Sequence, residues 1–148
     1  MRYQSGKTGN RTESVTVLSL SPLEDDHASL EAIVGHSKWV MFKADRLDDA
    51  RSLLSRHDLS VIICEKDLRP ENWTEVLGQI NELLYPPSLI VTSRLADERL
   101  WAEALNLGAW DVLAKPFDRT EVLRSVKAAW QHWHDQVRPA TEAIKAAS

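Results

Sequence analysis

The run Val61-Ile62-Ile63-Cys64 is wholly apolar and breaks into Glu65-Lys66-Asp67-Leu68, so a buried strand delivers carboxylates at its end. Acids set there can ligate a hard cation or take part in group transfer, and open α/β sheets place their sites at this edge. The other chemistry-bearing residues are less favourably spaced. Glu24-Asp25-Asp26 falls in the first turn of a helix, where the dipole alone favours acids, although one of them could lean into the crevice and weakly hold a cation. His132 and His134 are two apart on a helix and point different ways. His27 sits on an apolar helical stripe, as a satisfied core histidine would, and Cys64 lies in the central strand as an inert thiol. No Ser/His/Asp or Cys/His set is arranged for nucleophilic catalysis, so the chain is not expected to be an enzyme or to carry a cofactor.

The elements that must position Glu65 repeat a single unit. Val15–Leu20 reads as a strand, followed by Ser21-Pro22-Leu23-Glu24 as a capping box with proline at the first helical position. Leu23, His27, Leu30, Ile33 and Val34 then recur at helical spacing up to Gly35. Trp39–Lys43 is a second strand, followed by a helix with Leu47, Ala50, Leu53 and Leu54 on one face. After the third strand, Asn72-Trp73-Thr74-Glu75 is a capping box leading to Val76, Leu77, Ile80, Leu83 and Leu84. Pro86-Pro87 precede the fourth strand, Ser88–Thr92. Asp97 and Glu98 open a fourth helix that stops at Gly108, Trp110–Ala114 is the fifth strand, and Asp118-Arg119-Thr120-Glu121 caps a last helix running to His134. The pattern is (βα) five times. It implies a single-domain, doubly wound α/β sandwich of flavodoxin-like strand order 2-1-3-4-5, a parallel sheet with helices on both faces. Residues 1–13 are expected to be a flexible arm, 14–134 the domain, and 135–148 a frayed tail.

Composition sets limits on function. In 148 residues, 43% are hydrophobic, 27% are charged and the formal net charge is −4, which argues for a folded domain and gives no reason to expect nucleic-acid or anionic-membrane binding. One cysteine excludes an internal disulfide, and the polar opening MRYQSGKTGNRTES lacks a signal peptide's apolar region. The expected setting is the cytoplasm.

With Thr92-Ser93, Gly108-Ala109 and Lys115-Pro116-Phe117 placed in this five-fold pattern, residues 14 to 134 resemble the receiver domain of two-component response regulators. The resemblance implies phosphoryl transfer from a kinase onto an Asp ending the third strand, a Mg²⁺ held by two acids ending the first, and a hydroxyl residue and a lysine for the phosphoryl oxygens. Thr92 and Lys115 match the last two, and Lys115-Pro116 matches a peptide bond that the family usually keeps cis. The acidic pair falls on Ser21 and Pro22, and the phosphoacceptor position falls on Glu65, with Asp67 the nearest Asp. A chain so altered is expected to hold no metal and to pair Glu65 with Lys115 permanently.

Six tryptophans are the remaining excess. Trp101, Trp110, Trp130 and Trp133 fall on the fourth helix, fifth strand and fifth helix, with Asp111 and Val112 between them. That face is the usual dimer or partner surface of receiver domains, and aromatics are enriched in interface hot spots. The expected function is that of an atypical, stand-alone receiver that signals by protein contact, independently of phosphorylation, with a histidine kinase, a downstream effector or a second copy as partner. The alternatives are a phosphoacceptor with a non-standard acidic site and, further off, a flavin-binding flavodoxin-like protein.

Overall fold

A computed structural model describes residues 14–147, with side chains through residue 137; the arm expected over 1–13 lies outside the described residues. The elements alternate in chain order: β1 (Thr16–Leu20), α1 (Glu24–Val34), β2 (Val40–Ala44), α2 (Leu47–Arg56), β3 (Val61–Glu65), α3 (Trp73–Ile80), β4 (Ser88–Ser93), α4 (Glu98–Leu107), β5 (Asp111–Ala114) and α5 (Arg119–Ala147). All strand pairs are parallel, in the order β2-β1-β3-β4-β5, which is the expected doubly wound sheet. Among the described residues no helix is long and apolar enough to cross a membrane.

Two-residue alternation along the strands divides the core into two layers. Leu18, Leu20, Ile62, Cys64, Leu89, Val91 and Val112 face the layer that also takes Leu47, Ala50, Val76, Leu77, Ile80, Leu100 and Ala104 from α2, α3 and α4. Val17, Val61, Ile63, Ile90 and Leu113 face the other, with Leu30 and Ile33 of α1 and Val122, Val126 and Ala129 of α5. β3 and β4 are buried along their whole length, as central strands covered on both faces must be.

Three local expectations are corrected. Ser21 is not an N-cap: its N–H still bonds to Ala44 O at 3.0 Å, so the chain leaves the sheet one residue later and α1 starts at Glu24 with no side-chain cap. α3 stops at Ile80, where i→i−3 bonds from Glu82 and Leu83 tighten the chain ahead of Pro86; Leu83 and Leu84 leave the apolar face, Leu84 being 83% exposed. α5 runs to Ala147, beyond the frayed end placed after His134. Its inward stripe of Val122, Val126, Ala129, Trp133 and Val137 is buried throughout.

Elsewhere the caps at Asn72 and Asp118 form as read, while Asp97, expected to open the fourth helix, stands just before it as the N-cap. Asn72 and Glu75 make the reciprocal box, Asp97 accepts from Leu100 N, and Asp118 accepts from Glu121 N. Gly108 ends α4 at φ 106, a left-handed conformation that L residues resist. A Cβ there would touch nothing within 4 Å, so Gly108→Ala should cost backbone strain alone. The expected loss is about 1–2 kcal/mol, measurable by chemical denaturation.

Candidate functional site

Alternation places the site. Continuing the period of Val17 and Ser19, of Val61 and Ile63, of Ile90 and of Leu113 brings Ser21, Glu65, Thr92 and Lys115 onto the α1/α5 side at the C-terminal edge of the sheet. Glu65 and Thr92 are paired in register on neighbouring strands. Lys115 follows β5, its N–H bonded to Ser93 O at 3.1 Å and its bond to Pro116 cis. A second cis bond joins Arg69 to Pro70 in the loop after β3.

The centre of the site is an ammonium between two carboxylates. Lys115 Nζ donates to Glu65 Oε1 and, at 2.7 Å, to Asp26 Oδ2; the side chains of this cluster are only 7–8% exposed. Each acid has further support. Asp67 N–H donates to Glu65 Oε2 at 2.7 Å, and Ser21 Oγ donates to Asp26 Oδ2 at 2.7 Å while accepting from Leu23 N. Asp26 also lies in the first turn of α1, where the unpaired N–H groups offset negative charge. Two carboxylates facing one buried lysine are therefore balanced by hydroxyl, amide and helix dipole. The Thr92 hydroxyl is turned toward Cys64 O, 3.5 Å away, and bonds to neither Glu65 nor Lys115.

Asp26 is the residue that sequence reasoning missed. The acids of this helix turn were expected to be favoured by the dipole alone, yet Asp26 is 6% exposed and reaches the crevice. The signal was available: Asp26, Leu30 and Ile33 share one helical stripe, so a charge sits on a buried face. His27 beside it is the satisfied core histidine expected. Its Nδ1 meets Ser19 Oγ at 2.8 Å, and its Nε2 meets Ser21 O at 2.9 Å and Asp45 Oδ1 at 3.0 Å. With two acceptors at Nε2, that nitrogen carries the proton, and α1 is thereby tied to both β1 and the β2–α2 loop.

Cys64 is buried against the α2–α4 layer, and burial, followed by the Glu65 carboxylate, pushes its thiol well above the ordinary range. It should react with a thiol reagent such as Ellman's only after denaturation; stoichiometric reaction in native buffer would contradict this placement.

The model of the response regulator receiver domain matches residues 24–127. The chain belongs to this family. Relatives include the regulatory protein VirG of Agrobacterium fabrum, 26% identical over 126 residues (83% of this chain, 48% of VirG), and the transcriptional regulatory protein CrdR of Helicobacter pylori, 29% identical over 109 residues (71% of this chain, 51% of CrdR). The chain spans about half the length of these curated relatives. Among solved structures, the signal receiver domain of an HD domain-containing protein from Pseudomonas fluorescens superposes with a TM-score of 0.77 at 20% identity, covering 93% of this chain and 98% of that one. The beryllofluoride-activated NtrC4 receiver domain dimer gives 0.73 at 22% identity, covering 80% and 98%. This receiver domain is thus a module of two-component signalling.

The residues present do not fit the divalent cation that the family implies. Pro22 has no side-chain donor, the Ser21 hydroxyl is committed to Asp26, and the oxygens of Asp26 and Glu65 that converge do so on an ammonium. Among the described residues no group of three or more His, Cys, Asp or Glu is placed to hold a metal.

The tryptophans expected on one outer face divide between surface and interior. Trp101 on α4 is 51% exposed, next to the exposed Leu105. Trp110 is half-buried and stacks on His132, and Trp130 is half-buried and stacks on His134, with ring centroids 4.8 Å apart in each pair. Asp111 accepts from Ser125 Oγ of α5. Trp133 and Val112 are core residues, which corrects their assignment to the surface: the period of α5 turns Trp133 inward, and the alternation of β5 turns Val112 toward α4.

Proposed function

We propose that this receiver domain signals through protein contact from a crevice held in one state without phosphorylation. The observation that carries the reading is the occupied lysine. In the family resemblance Lys115 is the residue that meets phosphoryl oxygens, and here its ammonium is already engaged by two buried carboxylates. A phosphoryl group brought to this crevice would meet the negative charge of Glu65 and Asp26, with the Lys115 ammonium between them already committed to both. Glu65 carries its carboxylate one methylene further than an Asp would, into the space a phosphoryl oxygen would take.

The partner surface in this reading is the α4–β5–α5 face. Trp101 and Leu105, one turn apart on α4, are exposed at 51% and 37%, and Leu95 in the loop before α4 at 71%. Similarity to a structure of a receiver domain dimer supports a second copy as one partner; a histidine kinase or a downstream effector in the cytoplasm is the other class. Trp101→Ala should leave stability within about 0.5 kcal/mol. It should weaken self-association or partner capture, as read by analytical ultracentrifugation.

Incubation with a small phosphodonor and Mg²⁺, followed by intact-mass measurement, tests the proposal. No phosphoryl adduct is expected. A stable adduct on Glu65, Asp67 or a helix acid would favour the second reading, a phosphoacceptor with a non-standard site. The family match sets aside the flavin-binding alternative.

A further inference from the structure

We infer that the Lys115 ammonium is a built-in replacement for the divalent cation of ordinary receiver domains, and that Asp26 is the relocated acid that keeps it in place. The inference rests on the reading of a phosphorylation-independent crevice and assigns the cause of that independence.

Three elements distant in sequence converge on one charge: Asp26 from the first turn of α1, Glu65 from the end of β3 and Lys115 from the start of the β5–α5 loop. The loss of acids at Ser21 and Pro22 is compensated five residues on. Ser21 itself takes part, because its hydroxyl fixes the Asp26 oxygen that meets Lys115. The charge sum decides between occupants. Two carboxylates with one ammonium leave one negative charge, which the Ser21 hydroxyl, the Asp67 amide and the α1 dipole offset. Adding a divalent cation would require Lys115 to leave, because the converging oxygens of Asp26 and Glu65 are taken by its ammonium. A tethered cation is always present, so the crevice does not respond to cation concentration. Asp26 acts as a positioning residue through Lys115.

A Mn²⁺ titration read by water-proton relaxation tests this on the full chain. Wild type should show no Mn²⁺ binding at millimolar metal. Lys115→Met, which leaves the two carboxylates unmatched, should bind Mn²⁺ at least about tenfold tighter than wild type. Adding Asp26→Asn to that variant should remove the gain. Wild-type binding equal to that of the Lys115→Met variant would overturn the inference, as would a folded variant that gains nothing. Should that variant not fold, Asp26→Asn alone serves. NMR of the Lys115 ammonium protons should show a slowly exchanging signal in wild type, with exchange at least about tenfold faster in the variant. Unchanged exchange would overturn the role of Asp26. A phosphoryl adduct without Mn²⁺ binding would sink the functional reading and leave this assignment standing, so the two failures are distinguishable.

Discussion

Lys115→Met is expected to cost the fold about 3–5 kcal/mol, the range seen when one partner of a buried ion pair is removed. Methionine matches the length of the stem but leaves Glu65 and Asp26, both buried, facing each other without a counter-charge. Total stability of a domain this size is about 5–15 kcal/mol, so the loss is a large fraction of it. At roughly 2–4 °C per kcal/mol the melting temperature should fall by about 6–20 °C. The triple change of Lys115, Glu65 and Asp26 to apolar residues of similar volume should recover much of that loss, because a buried ion cluster offers little net stability over good packing. Calorimetry of the two variants checks both statements. A Lys115→Met protein as stable as wild type would mean that the ammonium does not hold the two acids.

The second large effect lies in α5. Trp133→Ala should cost about 3–5 kcal/mol, the usual range for truncating a buried large aromatic side chain. The reason is its place on the inward stripe of Val122, Val126, Ala129, Trp133 and Val137, where it is 4% exposed. Its indole Nε1 has no hydrogen-bond partner among the described residues, so Trp133→Phe sacrifices shape and no bond. That variant should lose less than about 1.5 kcal/mol. Urea denaturation of the two variants beside Trp101→Ala separates core from surface: a large loss, a small one and almost none. Equal effects at Trp101 and Trp133 would contradict the division of the tryptophans drawn here.

Legibility in the sequence followed the strength of the local signal. The five-fold βα order, the parallel sheet and the caps at Asn72 and Asp118 were readable because apolar runs, turn residues and capping side chains act over a few residues. Glu65 and Lys115 were readable as a pair through the resemblance to receiver domains, which sets both at the phosphoryl crevice. Asp26 was not, because three acids in one helical turn look alike until the α1–sheet packing selects the one in phase with Leu30 and Ile33. Ser21 was misread for a related reason. Ser-Pro-x-Glu is a sound helix start, but its backbone N–H was already taken by Ala44 O, a partner more than twenty residues away. Trp133 was misread because the reach of α5 over the sheet is a tertiary quantity that its place in the last helix does not reveal.

A crevice set in one state by Glu65, Asp26 and Lys115 should be indifferent to phosphoryl chemistry. Amide NMR spectra of the wild-type chain with and without beryllofluoride and Mg²⁺ test it most directly. The spectra should superimpose through Glu65–Leu68, Thr92–Asp97 and Lys115–Phe117. Saturable shifts at Glu65, Thr92 and Lys115 that require both Mg²⁺ and beryllofluoride would contradict it.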